Sequence, residues 1–207
     1  MFFFFFLTLK KKWHELFIKQ ARKDILLSSL FIMLLYIFLF LGLEHTTATN
    51  GAVILFLQIL FSFLFFNVLK KEPITRLQIV GAFLMAGGAI IILTKAKGLD
   101  LNRGDILVLI AAMIAPVANY YQQRTRRNVG AHSLLFVRTL LSIPLLFALA
   151  FWLDSAPGLH DISAVLWLLF INGFLLLGLS KIFWIEAIHR ISVTKAGAMT
   201  ALGPVYT

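Results

Sequence analysis

The feature that most limits what this chain can fold into is a succession of apolar stretches, each about twenty residues long, separated by short polar turns. A hydrocarbon layer about 30 Å thick is crossed by ~20 apolar residues in an α-helix. A helix also satisfies its own backbone polar groups, which lipid cannot do. Six full spans are expected, near 25–43, 47–69, 73–94, 104–124, 131–153 and 163–188. A further apolar helix starts near Val193 and runs to Thr207. Composition agrees: 60% of the residues are hydrophobic and mean hydropathy is +0.92, against about 45–50% apolar in a soluble domain. The expected fold class is all-α, a polytopic membrane helix bundle.

The net charge is +10. On a soluble chain that would invite a nucleic-acid reading, but here the basic residues sit in short loops, with no room for a contiguous basic face. Nucleic acid is therefore excluded as a partner. Lys and Arg instead set orientation, because cytoplasmic loops carry the excess. With loop 9–24 placed inside, alternate loops hold 14 basic residues on the cytoplasmic side and 3 on the other. The expected location is a bacterial inner membrane, crossed many times.

Catalytic signatures are missing. There is no cysteine, which excludes disulfides, thiolate metal sites and a thiol nucleophile. His14-Glu15 lacks the second His of a zinc-protease helix, His160-Asp161 lack ligand spacing, and no phosphate-cradling Gly loop occurs. No catalytic residue, metal or cofactor is expected, and no enzyme. A membrane-embedded lipid-modifying enzyme, the weaker alternative, would need acids or His clustered at one interface.

The opening, Met1–Thr8, is apolar and is followed by Lys10, Lys11 and Lys12. A signal peptide has the reverse order, so this reads as the end of a helix begun earlier. Leu9, Trp13, Leu16, Phe17 and Ala21 then recur at helical spacing among His14, Glu15, Lys19, Arg22 and Lys23. That pattern predicts an amphipathic helix on an anionic membrane surface, with Trp13 as anchor beside Lys10–Lys12. Both ends of the bundle are expected to be cut inside a membrane helix. With the Phe2–Phe6 run, this keeps a second reading open: a truncated remnant that no longer transports.

Small residues share helix faces at Ala82, Ala86 and Ala89, at Ala111, Ala115 and Ala118, and at Gly197 and Ala201. Such stripes let helix backbones approach closely in lipid.

Displaced by 145 residues, the chain falls on itself: Glu44–Ala52 lies on His189–Gly197, each a helix end, a polar turn and a small-residue entry into the next helix. The first turn has no Lys or Arg and falls outside; the second has Arg190 and Lys195 and falls inside. Five helices separate the copies, an odd number, so the copies point opposite ways. Inverted-topology repeats are a recurrent plan of secondary transporters.

Leu69–Gly88, with Leu43–Ala52 before it and Ala187–Pro204 later, resembles the EamA-type members of the drug/metabolite transporter superfamily along nearly the whole chain. The resemblance implies ten helices in two inverted five-helix repeats. This chain would run from the end of the second helix into the ninth, as a partial first repeat at 1–95 and a partial second at 104–207. Ile59 stands where the family often has Pro, while the equivalent Pro204 is present. The resemblance also implies a permease for a small polar or amphipathic metabolite, such as an exported amino acid, working by alternating access. The expected partners are the lipid bilayer and a small-molecule substrate, with a homodimer left open.

Ionisable groups inside a span are costly and are functional candidates by default. Arg138 and Lys181 lie within spans and lead the substrate-path candidates. Glu186, near an interface, is expected to meet water or a neighbouring base. Gln58 and Ser62, one turn apart, Asn119 with Gln122 or Gln123, Asn172, and Trp184 beyond Lys181 are weaker candidates. Interhelical hydrogen bonding is the competing role for each of these.

Overall fold

The fold comes from a computed structural model that describes residues 3, 8, 13, 15, 18–69, 71, 75–97, 102–152, 163 and 165–200. Among them every regular element is a helix. α1 is Lys19–Glu44 and α2 is Ala48–Phe63, extended by a π-helical stretch, Leu64–Leu69. α3 is Arg76–Lys97, α4 Arg103–Thr125 and α5 Ala131–Trp152. α6 is Leu166–Arg190, with a π-helical stretch at Asn172–Leu179, and α7 is Val193–Thr200. Five of these helices are long and apolar enough to cross a membrane, at Ala21–Glu44, Ala48–Asn67, Arg103–Thr125, Ala131–Trp152 and Leu166–Arg190. α3 is helical over the range of the remaining expected span.

The helix ends follow local chemistry. Thr47 caps α2, its hydroxyl accepting from Asn50 N–H at 3.2 Å. α3 begins with a reciprocal box: Thr75 N–H donates to Gln78 Oε1 at 3.0 Å, and Gln78 N–H to Thr75 Oγ1 at 3.4 Å. α4 begins the same way with Asn102 and Asp105, at 3.1 and 2.8 Å. Lys71, just past the π stretch of α2, has φ 55°, the left-handed geometry that stops a helix. α2 continues unbroken through Ile59, the position where a Pro would have broken its ladder.

The chain forms two compact units, each drawing on both halves of the sequence. The first holds residues 1–29 and 121–190. Its core is Ala21, Ile25, Val129, Ala131, Leu134, Leu135 and Ile185, with Ile18 and Trp184 packed against it. The second holds 30–120 and 191–207, and in it α2 packs on α3 and on α7. Here α1 and α4 approach through glycines: a Cβ on Gly104 would stand 2.6 Å from the Gly42 carbonyl oxygen and 2.5 Å from the His45 carbonyl carbon. Ala111, Ala115 and Ala118 are all buried, as a close-packing stripe requires. The side chains of Ala86, Ala89 and Ala201 lie outside the described residues.

Buried polar groups accompany the apolar core. Ser28, Ser29, Ser62, Asn67, Asp105, Asn119, Gln122, Thr125 and Ser133 are buried, while large apolar side chains face outward. On α6 the run Leu166–Phe170 is 52–69% exposed. In water such a surface would be an aggregation liability; in lipid it meets its own kind.

Candidate functional site

In the first unit, α4, α5 and α6 bring the leading sequence candidate to a partner. Arg138 Nη1 donates to Oε1 of Gln122, which is buried, at 3.4 Å. This is long for a charge-assisted bond. The direction follows from helix geometry. Cβ bonds tilt toward a helix's N-terminus, so Arg138, seven residues into α5, leans back toward the start of that helix. Gln122 stands near the end of α4. The guanidinium is thus held toward one end of the span rather than at its centre. Beside it, Gln123 Nε2 donates to the Ile188 carbonyl of α6 at 2.8 Å.

Lys181 and Trp184 lie on α6 of the same unit, both half-buried, with Trp184 set against the apolar core. Asn172 opens the π stretch and is exposed. In the second unit, Ser62 is buried and Gln58 half-buried on α2. Asn119 is buried on α4, next to Tyr120, whose ring meets Phe65 at 6.0 Å between centroids. Lys10, Lys11 and Lys12 lie outside the described residues.

Trp13 is 36% exposed and meets the Phe136 ring edge-on at 5.9 Å. Its neighbour departs from expectation. On the polar face of a surface helix Glu15 would be solvated, yet it is only 8% exposed. Its Oε2 accepts from Gly130 N–H at 2.7 Å and from the Ser133 hydroxyl at 2.6 Å. These are groups at the start of α5, where backbone N–H groups need acceptors and the helix dipole favours an anion. Gly130 leaves room for this carboxylate: a Cβ there would stand 2.8 Å from Oε2.

The other acids of this unit are also engaged. Asp24 of α1 pairs with Arg124 of α4 at 2.8 Å. Glu186 pairs with Arg126 at 2.6 Å and with Arg190, one turn on, at 3.9 Å, so the base expected beside it is Arg126. Arg126 also donates to the Val129 carbonyl at 2.8 Å. The starts of α1 and α5 and the ends of α4 and α6 therefore form a polar layer in this unit. Sequence reasoning missed Glu15, Asp24 and Ser133 as its members; only the Glu186–Arg190 spacing advertises a pair. In the second unit Asp105 was missed in the same way, since its carboxylate accepts from the Thr46 hydroxyl as well as capping α4. Among the described residues no group of His, Cys, Asp and Glu could hold a metal ion.

Lipid-length apolar helices, with large apolar side chains exposed along them and basic residues gathered at helix ends, define a multi-pass integral membrane protein. The model of the EamA-like transporter family matches residues 1–94 and 102–207, and the chain belongs to that family. It is also similar to a protein of Bacillus subtilis (strain 168) described as the uncharacterized transporter YyaM, with 22% identity over 174 residues. That match covers 81% of this chain and 57% of the relative, so the chain spans little more than half of that protein's length. No solved structure matches.

Proposed function

We propose that this chain acts in a secondary transporter that moves a small polar or amphipathic metabolite, in the manner of an amino-acid exporter, by alternating access between two inverted repeats at 1–95 and 104–207. The observation that carries this reading is a duplicated turn in the second unit. Thr47 caps α2 through Asn50 N–H, and Ser192 caps α7 through Lys195 N–H at 3.3 Å. Gly51 N–H bonds the Thr47 carbonyl at 2.9 Å, and Ala196 N–H bonds the Ser192 carbonyl at 3.0 Å. Each member of one set lies 145 residues from its counterpart, the displacement at which the sequence falls on itself.

Arg138 is the residue we assign to the substrate path. Its long bond to Gln122 is one that a solute carboxylate could replace with a shorter, charge-assisted one. Lys181, on α6 of the same unit, would supply a second cation. Loop 9–24 faces the cytoplasm in this reading, and the polar layer of the first unit supports it by gathering Glu15, Arg124, Arg126 and Arg190, all from loops expected on that side. The membrane is a bacterial inner membrane, and a homodimer is compatible with this arrangement.

The test is efflux from cells or proteoliposomes loaded with labelled amino acids and amines. Parent chain, Arg138→Ala and Lys181→Ala would be compared at equal membrane abundance. A loss of about tenfold for Arg138→Ala, the scale of one charge-assisted contact at ~1.5 kcal/mol, is expected. Equal rates for parent and variants would remove both residues from the path. No efflux by the parent chain would favour the non-transporting remnant. A single cysteine at Arg127, in this cysteine-free chain, should label from the cytoplasmic side only.

A further inference from the structure

The second unit contains a groove of about 440 Å³ between α2, α3 and α7. Its floor is Ile59 and Ala82, both buried, and its rims are Leu77 and Met199, which are 86% and 68% exposed. Gly81 faces its open space: a Cβ there would meet no atom within 4 Å. A channel of this kind, apolar and with exposed rims among the described residues, suits an acyl chain.

One end of the groove is polar. Lys195 and Gln78 line it there, in the first turns of α7 and α3. Gln78 Oε1 is taken by Thr75 N–H, which leaves its amide NH₂ as the donor. Arg76, exposed, is the first residue of α3, and Lys71 lies in the loop before it. The acids Glu44 and Asp105 of this unit stand elsewhere, at the end of α1 and the start of α4. Among the described residues the charge at this end is net positive, and basic pockets between helices on the cytoplasmic side are suited to anionic lipid headgroups.

We propose that this groove binds one anionic phospholipid of the cytoplasmic leaflet, with an acyl chain along Ile59, Gly81 and Ala82 and the phosphate at Lys195 and Gln78. The proposal rests on the orientation proposed above but not on transport, and its test reads binding alone.

The purified chain in neutral detergent would be titrated with phosphatidylglycerol, with phosphatidylcholine of the same acyl chains, and with soluble glycerol phosphate, following the unfolding temperature. Phosphatidylglycerol should raise it by about 3–5 °C, the shift expected for a ligand well above its Kd, and the other two by less than a third of that. Gly81→Leu fills the groove in open space and favours helix, so it should keep the starting temperature and lose the response. Lys195→Gln leaves the groove empty and should respond alike to both lipids. Equal shifts with both lipids in the parent chain would overturn headgroup recognition. A full response in Gly81→Leu would overturn the location. A full response to glycerol phosphate would overturn the role of the acyl chain. If Gly81→Leu does not fold, Lys195→Gln decides: retained preference for phosphatidylglycerol would overturn the proposal.

Discussion

Glu15 shows how far one side chain can be from its partners in sequence and still organise a helix end. It sits 115 positions before Gly130 and 118 before Ser133. Removing it as Glu15→Ala leaves a half-buried N–H and a buried hydroxyl without their acceptor, which costs about 1–3 kcal/mol. Glu15→Gln keeps one oxygen and should lose less than half of that. Gly130→Ala would push the carboxylate away, so its cost should largely vanish once Glu15 is Ala. A double-mutant cycle on thermal unfolding in detergent checks this; additive costs would mean that the contact does not matter. Nothing near Glu15 announces the role, because local pattern places it among lysines and a histidine. The same holds for Arg126 and Glu186, which are 60 residues apart. Glu186–Arg190 was legible, since residues four apart on a helix are neighbours by construction.

At the scale of elements the sequence was far more informative. Apolar length fixes a membrane helix with little help from tertiary contacts, so α1, α2, α4, α5 and α6 lie close to their expected ranges. Polar turns mark the ends because Thr47, Thr75, Asn102 and Ser192 bond their own backbone locally. The π stretches were not legible. Leu64–Leu69 and Asn172–Leu179 are as apolar as the α-helix around them, and the choice between i→i+4 and i→i+5 bonding leaves no mark in such a run. If the two turns are copies, their caps should weigh alike. Thr47→Ala and Ser192→Ala should each cost about 1 kcal/mol, measured by thermal unfolding. A large cost at one and none at the other would argue against their equivalence.

At the scale of the molecule, composition and charge were enough to say that the chain lives in lipid, because no other solvent accepts so much apolar surface. They could not say which helices touch, since in lipid Leu against Leu and Leu against an acyl chain are nearly equivalent. That equivalence bears on how such a chain changes over generations. Where Leu166–Phe170 face outward, one large apolar residue serves as well as another, and replacements accumulate unseen. Where Ala111, Ala115 and Ala118 are sealed inside, a larger side chain forces helices apart. A saturation library scored for membrane abundance should therefore find Leu, Ile, Phe and Val interchangeable at 166–170 and Leu rejected at 111, 115 and 118. Equal tolerance at both sets would contradict the packing described. The drift runs through most of the residues that make the chain hydrophobic, so two descendants of one ancestor can share a bundle and few letters.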